Sequence, residues 1–108
     1  MPDEDEKRAA FRALEERILA GDGAASPEQR AAAFANAGVA PALQGLIAKV
    51  ASRPTLITSA DFDAATAAGF SEDQIFEMVV SAAVGQSARL YDAGLAALAA
   101  ATDNEAAG

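Results

Sequence analysis

The chain has 108 residues, of which 52% are hydrophobic and only 6% aromatic, with no Trp, Cys or His and a formal net charge of −8. That length supports one domain over residues 1–108, and an acidic chain repels polyanions, so DNA, RNA and anionic membrane surfaces are disfavoured as partners. Without Cys there is no disulfide, no thiolate ligand and no thiol nucleophile.

In chain order, Asp3, Glu4, Asp5 and Glu6 place negative charge where a helix dipole favours it, and Phe11, Leu14 and Ile18 follow at helical spacing. The spacing predicts a first helix ended by Gly21-Asp22-Gly23. This segment, 1–21, is read as one helix of the bundle or as an arm that docks elsewhere. Ser26-Pro27-Glu28-Gln29 supplies an N-cap, a proline at the first helical position and a capping-box partner, predicting a second helix to Gly38. Pro41 opens a third, in which Leu43, Leu46, Ile47 and Val50 form one apolar stripe, and Pro54 prevents its continuation.

Thr58 with Asp61 predicts a fourth helix, with Ile57 and Phe62 as a hydrophobic staple, and Gly69 suits the left-handed residue after its end. Ser71 with Gln74, and Phe70 with Ile75, repeat the device for a fifth. If unbroken to Ala100, that helix measures on the order of 40 Å, longer than a compact domain of this size is wide. It must bend or protrude, and Gly85 and Gly94 are either weak points or places where a neighbouring backbone comes close. It is apolar on two sides. Phe76, Val80, Ala83, Leu90 and Leu98 are expected to face the intramolecular core, and Ile75, Val79, Ala82 and Ala93 another helix or subunit. The tail from Thr102 to Gly108 is small and polar and is expected to fray.

No segment alternates with period two, so the fold class expected is all-α, a bundle of about five helices with a long C-terminal helix. Much of the apolar content is alanine, which buries little area at roughly 25 cal/mol per Å². Thin faces predict a homo-oligomer. The N-terminus lacks the pattern of a signal peptide and no apolar run is long enough to cross a bilayer, so no membrane association and a cytoplasmic location are expected.

The pattern Ala64-Ala65, Ala67-Ala68-Gly69-Phe70-Ser71, Ile75, then Ala82-Ala83 and Arg89, resembles the helical core of the carboxymuconolactone decarboxylase and AhpD-like (alkylhydroperoxidase-like) superfamily, over about Leu43 to Leu98. In its peroxidase branch the resemblance implies a Cys-x-x-Cys pair, a following His and a Glu on the preceding helix. By the family's spacing from Gly69 those positions fall on Pro54, Ile57, Asp61 and near Ala42. None matches. Thiol peroxidase chemistry is therefore excluded, since no thiolate attacks peroxide. The decarboxylase branch uses a His-containing pocket, which a chain without His cannot supply.

Among the remaining polar residues, Asp61 is read as a capping acid. Glu77, Arg89 and Tyr91 are candidate ligand-binding residues for a pocket between helices or across a subunit interface. Their plainer readings are a surface or interface carboxylate for Glu77, local pairing with Gln86 or Asp92 for Arg89, and ring packing for Tyr91. No catalytic residue, metal ligand set, phosphate loop or cofactor motif is found. Two functions follow: a non-catalytic, self-associating interaction or accessory module, or a small-molecule binder or non-thiol enzyme built around those three residues. A further partner in view is a catalytic relative of the same family.

Overall fold

The computed structural model describes residues 4–107, with the side chains of 5–103. It contains α1 (Glu4–Ala20), α2 (Pro27–Ala35), α3 (Pro41–Ser52), a single 3-10 turn (Pro54–Leu56), α4 (Ser59–Ala67) and α5 (Glu72–Ala107). No strand occurs among the described residues. The chain is all-α, as its periodicity predicts.

The starts are made by the residues that mark them. At α2 the Ser26 hydroxyl accepts from the Gln29 N–H (3.1 Å) while the Gln29 side chain takes the Ser26 N–H (2.9 Å). Ser71 and Gln74 do the same for α5, at 3.1 and 2.8 Å. Each such pair satisfies two N–H groups that a helix leaves without internal partners.

At the end of α4, Gly69 takes φ +100, and the N–H groups of Gly69 and Phe70 return to the carbonyls of Thr66 and Ala65. That is a Schellman closure. The second helix ends by the same device earlier than Gly38: Asn36 adopts φ 51, and the Asn36 and Ala37 N–H groups bond to Ala33 and Ala32. Asparagine tolerates the left-handed region well enough to stop the helix before the glycine is reached.

The core is small and aliphatic. Leu43, Leu46, Ile47 and Met78 are fully buried, with Ala25, Ala33, Ala65, Ile75 and Ala82 around them. No phenylalanine is buried, and Phe62 and Phe76 are exposed. Val39, Val50, Ile57 and Phe70 close the edges. The staple at α4 is thus one-sided, with Ile57 on the core and Phe62 exposed.

The two faces of α5 are the reverse of expectation. Ile75, Met78 and Ala82 face the core, whereas Phe76, Leu90 and Leu98 are 68%, 62% and 64% exposed. The reason is closeness of approach: a Cβ on Gly85 would overlap the Phe34 carbonyl at the end of α2. A surface that lets a neighbouring backbone in so far must carry small residues, and the bulky ones are turned outward.

Unbroken over its 36 residues, α5 protrudes. The molecule extends 57 Å along its long axis, with a radius of gyration of 16.7 Å against about 13 Å for a compact chain of this length. From Asp92 to Asp103 only Leu95 is even half-covered. Helical backbone continues through Thr102, where fraying was expected, to Ala107; the Thr102 hydroxyl donates to the Leu98 carbonyl at 2.9 Å. Gly108 lies outside the described residues.

Adding a methyl at Gly85 raises helix propensity by about 1 kcal/mol but forces α2 away from α5. Gly85→Ala is therefore expected to lose about 1 kcal/mol or more in urea denaturation. A stabilised variant would show that the two helices do not lie so close.

Candidate functional site

The polar residues of α5 act on the ends of α2. Ahead of the Ser26 cap, the N–H groups of Ala24 and Ala25 donate to the two oxygens of Glu77, at 2.9 and 2.7 Å. Gly23 lies so near that a Cβ there would overlap the same carboxylate. At the other end, Arg89 Nη1 donates to the Phe34 carbonyl at 2.8 Å. Its Nε and Nη2 donate to Gln86 Oε1 at 3.3 and 3.2 Å.

These contacts set α2 parallel to α5. They also put an acid at the positive end of α2 and a cation at its negative end, the arrangement a helix dipole favours. Glu77 is thus a partly buried acid that binds backbone N–H groups of its own chain. Its length and its place four residues before a buried Ser81, whose hydroxyl donates to the Glu77 carbonyl, turn it toward the loop between α1 and α2.

A second clamp joins α1. Arg30 of α2 is 5% exposed, and its Nη1 donates to the Ile18 carbonyl near the end of α1 at 2.7 Å. Its buried Nε has no hydrogen-bond partner among the described residues. Tyr91 stacks on Phe11 of α1, with ring centroids 6.0 Å apart and planes at 6°. The first helix therefore rests on its own chain as a bundle member. Glu77, Arg89 and Tyr91 are not gathered around one cavity: Glu77 borders a cleft with Ile18, Arg30 and Val80, and Tyr91 another with Phe11 and Arg12.

The positions at which the family resemblance would set chemistry carry structural work. Pro54 opens the 3-10 turn, Ile57 packs on the core and Ala42 is half-buried in α3. Both oxygens of Asp61 lie 3.0 Å from Lys49 Nζ of α3, and Oδ2 accepts the Thr58 N–H at 2.9 Å. The Thr58 N–H and the Lys49 ammonium hold this carboxyl below its ordinary value of 3.8.

A groove of about 610 Å³ lies between α4 and α5, with Phe62, Ile75, Phe76 and Val79 on its walls and Asp63, Glu72 and Asp73 on its rim. Sequence reasoning missed it because Phe76 was assigned to the interior. The available signal was the small-residue series Ala82 and Gly85, which marks the inward face. Among the described residues no group of acidic side chains is placed to hold a metal ion, and no helix is long and apolar enough to cross a membrane. Comparison with protein-family models, curated proteins and solved structures finds no match for this chain.

Removing a carboxylate that accepts two backbone N–H groups is expected to destabilise. Glu77→Ala should lose about 1.5–3 kcal/mol in denaturant titration, with Glu77→Gln intermediate. A fully stable Glu77→Ala would return this acid to the list of binding residues. At Asp61 the folded form titrates below the unfolded form, so its stabilisation is complete above about pH 5 and is lost as pH falls through the lower folded value. The gap in thermal midpoint between the parent and Asp61→Asn should therefore be constant near neutrality and narrow in acid. A gap that persisted throughout the acid range would show that another group is responsible.

Proposed function

We propose that this chain is a non-catalytic, self-associating helical module, a divergent relative of the carboxymuconolactone decarboxylase and AhpD-like superfamily, serving as an interaction or accessory domain in the cytoplasm. The observation that carries the reading is the outward face of α5, where Phe76, Leu90 and Leu98 are each more than 60% exposed on a helix that outruns its own bundle. A core of this size leaves apolar side chains uncovered along tens of ångströms, and covering them is the largest source of stability open to the chain.

The polar residues of α5 support the same reading. Glu77 and Arg89 are occupied with the ends of α2, and the positions that hold Cys and His in peroxidase relatives are Pro54, Ile57 and Asp61. What remains for a partner is surface.

Light scattering after size exclusion is expected to give the mass of at least two copies at micromolar concentration. Leu90→Arg, at a position 62% exposed, should shift that mass to one copy while circular dichroism stays helical. A folded parent that runs as a single copy would overturn the reading.

A further inference from the structure

We propose that the partner on this face is a second copy of the chain and that the two α5 helices pair antiparallel, the projecting end of each lying along the base of the other. The proposal rests on the self-association above and names its surface. Phe76, Val80, Ala83, Ser87, Leu90 and Gly94 follow one another at alternating spacings of four and three, and the series runs on through Ala97 to Ala101. That spacing keeps one seam aligned along a helix that meets another. None of these residues is buried, and they stand opposite Met78, Ala82 and Gly85, which face the core.

The seam carries no charge, so it offers nothing to an ionic ligand and much to a copy of itself. From Phe76 to Ala101 it is about 38 Å long and about 10 Å wide. Two such strips bury roughly 750 Å², short of the roughly 1,000 Å² of a specific interface. Contacts beside the seam must supply the rest, and orientation decides whether they do.

With Ser87 set against Leu90 of the other copy, antiparallel pairing sets Phe76 against Ala101, Val80 against Ala97 and Ala83 against Gly94. Each larger residue meets a smaller one, so the spacing between the helices stays even. Parallel pairing would set Phe76 on Phe76 and Gly94 on Gly94, forcing the helices apart at one level and leaving a void at another. Antiparallel dipoles also attract, and parallel ones repel.

The two-fold axis of an antiparallel pair brings like flanks together. Leu98, on the flank of the seam, then arrives level with Val79 and Val80. There a cleft of about 170 Å³ opens beside Ile18, Phe76 and Val80, room enough for its side chain. At the seam's two ends Asp103 of one copy approaches Glu72 and Asp73 of the other. Added salt screens this repulsion and tightens the pair.

The chain has no cysteine of its own, so Ala83→Cys and Gly94→Cys can be made separately in the full chain and mixed under mild oxidation. Both positions are exposed, and a Cβ on Gly94 meets nothing within 4 Å, so folding is preserved and is checked by circular dichroism. A disulfide is expected in the mixture and in neither variant alone, because antiparallel Ala83 positions lie about 16 Å apart and a disulfide needs Cα atoms within about 7 Å. The dissociation constant of the parent should fall as salt is raised. Self-linking of Ala83→Cys, a two-copy mass with no disulfide in any mixture, or weakening with salt would overturn the proposal while leaving self-association intact. A single-copy mass for the parent would overturn both.

Discussion

The rest of the structure depends on the close, parallel contact of α2 with α5 at Gly85. Because the Phe34 carbonyl comes within the space a side chain would need, this one point fixes the rotation of a 36-residue helix about its own axis. Met78 and Ala82 then turn into the core, and Phe76 and Leu90 turn out. Glu77 and Arg89, one at each end of α2, fix the sliding register as Gly85 fixes the rotation. Arg30 extends the arrangement by binding the end of α1, so α1, α2 and α5 are held together by charged groups on helix termini. Such contacts suit a chain whose apolar core is small, since they are directional where alanine packing is not.

Much of the fold was legible because its boundaries are chemical. Ser26 with Gln29, Thr58 with Asp61 and Ser71 with Gln74 mark helix starts by specific hydrogen bonds, and those appear where the residues stand. Proline at 41 and 54 acts through a missing N–H and a fixed φ, which no tertiary contact can reverse. The end of α2 was less legible, because Asn36 and Gly38 both accept positive φ and local sequence does not rank them. The facing of α5 was not legible from hydrophobicity, which scores both faces as apolar. It is decided by residue size: glycine and alanine, which bury little area themselves, mark the side on which a neighbouring helix comes close.

The candidate site shows the same limit from the other side. Glu77, Arg89 and Tyr91 were singled out as polar groups on an apolar helix, and polarity in that setting does require partners. The partners are backbone groups 52 to 55 residues away and an aromatic ring of α1, none of which local spacing can reveal. Arg89 with Gln86 was visible because the pair is three residues apart on one helix. The Phe34 carbonyl was not. Long-range satisfaction of a helix end and recognition of a ligand draw on the same residue types, and only the fold separates them.

That separation bears on what kind of protein this is. With several of its charged side chains committed to holding helices, the chain presents to solvent an uncharged ridge on α5 and a predominantly acidic surface elsewhere. The acids keep copies from associating at random, since like surfaces at a net charge of −8 repel. The ridge carries no charge and exposes the large apolar side chains of Phe76 and Leu90. An alanine-rich sequence with few large side chains does not have enough apolar volume to cover both faces of its longest helix from within. It covers the face that determines the fold with small residues drawn close, and leaves the face with the larger residues exposed. On the pairing proposed above, the length of α5 beyond its bundle supplies the other half of the contact, which needs as much helix projecting as it leaves uncovered at the base.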